Sequence, residues 1–208
     1  MTETTLPSRE QALALLDEWI TNPGLRKHCL AVEAALRAYA RKMNGDEARW
    51  ALTGLIHDFD WERHPDASRH PMEGVAELRK LGWPEDICRA VLGHATYSGV
   101  PRDTDMARAL FACDELCGFL VACALVMPDK SLASVEVPSV RKKMKRADFA
   151  RNVNRDDIVN GAAELGVELD QHIAFTLEAL RGARAELGLW RRRRTKPRNS
   201  SRAGTTST

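Results

Sequence analysis

Four histidines and two aspartates fall in the order His28, His57–Asp58, His70, His94, Asp114. Neutral imidazole and carboxylate are ligand types that first-row divalent metals accept. Asp114 lies inside the apolar stretch ALFACDELCGFLVACALVM, residues 109–127. A buried carboxylate is costly unless it is paired or metal-bound, so Asp114 calls for a partner and the histidines can supply one. Taken singly, each residue has a plainer role. His28 suits a hydrogen-bonded core histidine, His57–Asp58 a helix-end pair, His70 a helix cap and His94 a phosphate contact. Metal binding is the reading of the set taken together.

The elements that must carry these residues read as helices. Ser8 with Gln11 forms a capping box opening a helix to about Ile20, and TNPG breaks it. Apolar positions at helical spacing, Leu25, Cys29, Val32, Leu36 and Tyr39, predict a second helix to about Met43. Asp46 caps a third, to about His57; a loop with Pro65 and Pro71 leads to a fourth over 72–81, stopped by Gly82. Pro84 begins a fifth to about Thr96, and the long apolar helix spans Thr104 to Met127. Shorter helices are expected over 129–135, 139–146, 155–165 and 168–187. No stretch alternates with period two for long enough to demand a sheet, which predicts an all-α bundle with a metal site between core helices. Residues 1–190 read as one domain and 191–208 as a disordered basic tail.

Composition narrows the function classes. The 208 residues are 44% hydrophobic and 29% charged, as in a globular protein, and the net charge of +2 carries no nucleic-acid signature. Basic character is local, in RKKMKR (141–146) and WRRRRTKPR (190–198); the latter suits nonspecific nucleic-acid contact at most. The opening MTETTLPSREQ has neither the basic nor the apolar region of a secretory signal. The longest apolar stretch contains Asp114 and Glu115, which argues for a core helix over a membrane span. Five cysteines lack Cys-x-x-Cys spacing and read as reduced packing residues, an expectation of a cytoplasmic protein.

The ordered set His28, His57, Asp58, Asp114 resembles the ligand set of the HD-domain superfamily of metal-dependent phosphohydrolases, across roughly residues 24 to 125. The stretch HPMEGVAELRKLGWPEDICRAVLGH (70–94) resembles the HDIG-like, two-metal members, where His70 and His94 would be the extra ligands. The doublet is followed by Phe-Asp-Trp where many relatives have Ile-Gly and a basic residue. The resemblance implies one or two divalent ions, of Mn, Fe, Co, Ni, Mg or Zn. It also implies attack by metal-activated water on a phosphate ester or anhydride of a small molecule or nucleotide. In that reading His28, His57 and Asp114 hold one metal, Asp58 bridges, and His70 and His94 hold the second.

A phosphoryl substrate would need further cations. Candidates are Arg26 and Lys27 beside His28, Arg102, and Lys142, Lys143 and Lys145 on the short basic helix, whose plainer role is a solvated face. Glu62, just past the doublet, is a candidate proton-transfer residue, and Glu115 is expected to face away from the site. Two rivals share the ligand pattern: an HD-fold di-iron oxygenase acting on a small polar substrate, and a non-catalytic regulatory module.

Overall fold

The computed structural model describes residues 5–189. Among them there is no strand, and the expected all-α architecture is observed. The helices are α1 (Arg9–Trp19), α2 (Pro23–Met43), α3 (Glu47–Ile56), α4 (Met72–Lys80), α5 (Glu85–His94), α6 (Asp105–Leu125), α7 (Val137–Met144), α8 (Arg155–Glu164) and α9 (Leu169–Gly182). The predicted tail, 191–208, lies outside the described residues.

Local chemistry sets the helix starts. Ser8 accepts from the Gln11 amide while the Gln11 side chain returns to the Ser8 amide at 2.8 Å. Asn22, Asp46, Thr104 and Asn154 likewise accept first-turn amides of α2, α3, α6 and α8, satisfying donors that lack intrahelical partners. Gly82, at φ 77°, lets the chain turn after α4.

Several boundaries differ from expectation; α7 and the end of α6 shift by two residues, and three other differences have a local cause. The 129–135 segment forms only a 3₁₀ turn, Leu132–Ser134. Asp129 accepts from the Ser131 amide at 3.3 Å and the Ser134 hydroxyl at 2.7 Å, which competes with helical pairing. α5 stops at His94, because Ala95 is extended, and a second 3₁₀ turn, Thr96–Ser98, follows. α9 ends at Gly182 rather than 187. The chain then turns back so that the Leu189 carbonyl accepts from the Leu132 amide at 3.2 Å.

The core is centred on α6, which is buried nearly all round: Leu110, Leu116, Phe119 and Leu120 are all fully enclosed. Burial of each such side chain contributes roughly 1.5–3 kcal/mol. α2, α5, α8 and α9 pack against α6, and two glycines set close crossings. A Cβ on Gly54 of α3 would meet the Val32 carbonyl of α2 at 2.8 Å. On Gly161 of α8 it would meet Ala112 Cα of α6 at 2.6 Å. All five cysteines are free and buried, in keeping with a packing role. No described helix is long and apolar enough to cross a membrane.

Candidate metal centre

Helix ends deliver most of the site. His57 follows the last residue of α3, and His94 is the last residue of α5. Each is paired through Nδ1 with the carbonyl three residues back: His57 with Gly54 at 2.9 Å, His94 with Val91. Those carbonyls belong to the last turn of their helices, where no amide follows to claim them. A carbonyl only accepts, so Nδ1 carries a proton and Nε2 is the nitrogen left to face a metal. His70, just ahead of α4, is fixed in the same tautomer by a carboxylate: its Nδ1 donates to Asp60 Oδ1 at 2.8 Å. The other Asp60 oxygen accepts from the Gly74 amide at 3.0 Å.

Three Nε2 atoms therefore face inward, joined by Nε2 of His28 from α2. His70 Nε2 and His94 Nε2 are 3.2 Å apart, and His28 Nε2 and His57 Nε2 are 3.1 Å apart. Two lone pairs at that distance repel unless a cation sits between or beside them, so the His70–His94 contact has the chemistry of a ligand pair. The carboxylates complete the arrangement. Asp114 Oδ1, from α6, lies 3.0 Å from His28 Nε2 and 3.4 Å from His57 Nε2. Asp58 divides its oxygens: Oδ2 is 3.7 Å from both His28 and His57, and Oδ1 is 3.3 Å from both His70 and His94.

The six residues thus fall into two groups able to hold a metal ion, His28–His57–Asp58–Asp114 and Asp58–His70–His94, sharing Asp58. Electrostatics agree with a demand for positive charge. Burial opposes ionisation of Asp58 and Asp114, yet the neighbouring histidines hold both carboxyls well below the ordinary range. For His57, burial alone would lower the pKa, but the charges of Asp58 and Asp114 overcome it and push it up to about 9.

A cavity of about 1340 Å³ opens over this centre. Trp61 and Tyr97 give it a partly exposed aromatic wall, and Trp61 packs edge-on to His70 at 4.9 Å between ring centroids. Glu115 also lines it, against the expectation that it faces away, because the cavity extends along α6 to the loop ahead of α8. Burial, reinforced by the charge of Asp114, pushes the Glu115 carboxyl up to about 8. Asn152, Asn154 and Asp157 close the far side.

The expected substrate cations are elsewhere. None of Arg26, Lys27, Arg102, Lys142 and Lys145 lines the cavity. Arg26 pairs with Asp17 at 2.7 Å. Arg102 is held by Glu164 at 2.6 Å and by the Gly93 carbonyl at 2.9 Å, and it stacks on Phe111. Lys143 bonds Ser139 along α7. Glu62 lines the cavity but is not placed to store a proton. Its carboxylate accepts from the Thr21 hydroxyl and from the amides of Thr21 and Asn22, which hold its pKa below the ordinary value. It fastens the α1–α2 connection instead.

Residues 25–118 match the family model of the HD domain. This stretch of the chain is an HD domain. The match contains all six of the clustered histidines and aspartates, and the superfamily it represents is of the metal-dependent phosphohydrolase type. The chain matches none of the curated proteins and none of the solved structures compared with it. Within the HD domain, the place of Asp60 two residues after the doublet suggests a loop at the pocket mouth, but not its pairing with His70. Outside it, Asn152, Asn154 and Asp157 had no signal beyond ordinary turn and cap chemistry.

Proposed function

We propose that this protein is a metal-dependent phosphohydrolase that cleaves a phosphate ester or anhydride of a small molecule. The observation that carries the reading is the division of the Asp58 oxygens between two imidazole pairs. His28, His57 and Asp114 would hold one divalent ion and His70 and His94 a second, with Asp58 shared. Bound divalent metals lower the pKa of water and neutralise charge developing on phosphoryl oxygens. The chain's own part is to orient the ligands. The α3 and α5 carbonyls and Asp60 engage Nδ1 of three histidines and so turn their Nε2 atoms toward the centre, and Trp61 and Tyr97 line the cavity above it.

The test combines elemental analysis of the purified protein with a phosphate-release screen over small phosphate esters and anhydrides. Metal-stimulated release that disappears in Asp58→Ala is the expected result. A second reading, a di-iron oxygenase acting on a small polar substrate, is favoured by one observation: among the described residues the cavity offers no Lys or Arg to clamp a phosphoryl group. Coupled iron, oxygen consumption and no phosphate release under any metal would select it.

A further inference from the structure

We propose that the substrate carries, besides the group that meets the metals, a positively charged ammonium end, and that Glu115 and Asp157 hold it. The inference rests on the reading of the centre as a metal site, since the facing imidazoles and the cavity above them are what call for a ligand at all.

The cavity is far larger than a phosphate group, so a substrate body must fill part of it. Beyond the six clustered residues, the charged side chains on its wall are Glu62, Glu115 and Asp157, all acidic. Glu62 is engaged by Thr21 and Asn22. Asp157 accepts from the Asn154 side-chain amide at 2.7 Å through one oxygen, and the other has no partner among the described residues. Neither Glu115 nor Asp157 forms an ion pair with Lys or Arg among the described residues, and Arg102, whose charge reaches Asp157, is committed to Glu164. A polyphosphate body here would meet acidic side chains with no Lys or Arg on the wall to offset its charge. An ammonium group would find two acidic side chains without Lys or Arg partners among the described residues. The two carboxylates are rigidly mounted. Glu115 is on the core helix α6, and Asp157 is in the first turn of α8, which is locked to α6 through Gly161 and Ala112.

The experiment uses the metal-loaded full chain and three phosphate monoesters of matched length: an ω-aminoalkyl, an alkyl and an ω-carboxyalkyl phosphate. Their kcat/KM values are compared, and binding of the corresponding phosphorothioate esters, which are cut slowly, is measured by calorimetry. The aminoalkyl member should lead the alkyl one by about tenfold or more, with the carboxyalkyl member last. Asp157→Asn should narrow that ratio and Asp157→Lys should reverse it. Equal binding of the three phosphorothioates by the unmodified protein, or a preference for the carboxyalkyl one, overturns the proposal. Preferential binding of the aminoalkyl member without phosphate release would sustain it while sinking the hydrolase reading, so the two failures are distinguishable.

Discussion

Asp60 Oδ1 lies 2.8 Å from His70 Nδ1, and both side chains are shut away from water. The carboxylate sits behind the histidine's inward nitrogen, where it fixes the orientation of the ring. Asp60→Asn keeps the shape and removes the charge. It should weaken metal binding at the His70–His94 group by about 10–100-fold, measured by competition against a chelator, with helical content unchanged. Undiminished affinity would show that the pair only packs.

Gly74 enforces that pairing from the other side. A Cβ there would fall 2.4 Å from Asp60 Cγ, so Gly74→Ala must displace the carboxylate. The expected result is a loss of about 1–3 kcal/mol in urea denaturation, as for other overpacked interiors. Loss of one metal equivalent should accompany it.

Metal stoichiometry separates the two groups. His94→Ala should leave about one equivalent of metal and His28→Ala likewise, whereas Asp58→Ala should deplete both, because its oxygens serve both groups. Two full equivalents in His94→Ala would remove His94 from the ligand set.

Protons compete with the metal at His57. With its pKa raised to about 9 by Asp58 and Asp114 against the effect of burial, metal binding at neutral pH must release a proton. Apparent affinity should therefore fall as pH drops below 9, by roughly tenfold per unit for one proton. Calorimetry in buffers of different ionisation enthalpy reads the released proton directly.

A separate pH dependence comes from His172, fully buried in α9. Its Nε2 donates to the Ala112 carbonyl at 2.8 Å, and Nδ1 accepts from the Tyr39 hydroxyl at 2.6 Å. Burial lowers its pKa below the ordinary 6.5. The unfolded chain then binds the proton more readily, so stability is complete above 6.5 and declines as pH falls from there toward the folded-state value. Denaturation midpoints of the metal-free protein across pH 7.5 to 5 should show that decline, and His172→Gln should flatten this component, after the other titrating groups are accounted for.

What the sequence made legible follows from where each residue sits in a regular element. His57, His70 and His94 adjoin helix ends marked by apolar periodicity and by Gly or Pro, and Asp114 is conspicuous as a charge inside an apolar helix. Asp60 was not assigned as a partner of His70, because in sequence it is one carboxylate among several in a turn. The expected cations lie off the cavity wall for a related reason: charge type does not tell which face a side chain takes. Arg102 finds its partner, Glu164, 62 positions away. Asn154 and Asp157 read as the cap and first turn of a helix, which they are; that the same turn closes a cavity depends on how α8 rests on α6.

The contact of Gly161 with Ala112 separates two kinds of inheritance within one pocket. Every clustered imidazole and carboxylate is encoded between residues 28 and 114, inside the stretch that matches the HD domain, while Asn152, Asn154 and Asp157 come from beyond its limit at 118. Substitutions in the later segment can recut the cavity's outline and charge without disturbing a ligand. Those in the earlier one cannot alter the reactive end without losing it. Such a pocket can drift in what it accepts while its chemistry stands still, provided position 161 remains a glycine to keep the two segments in register.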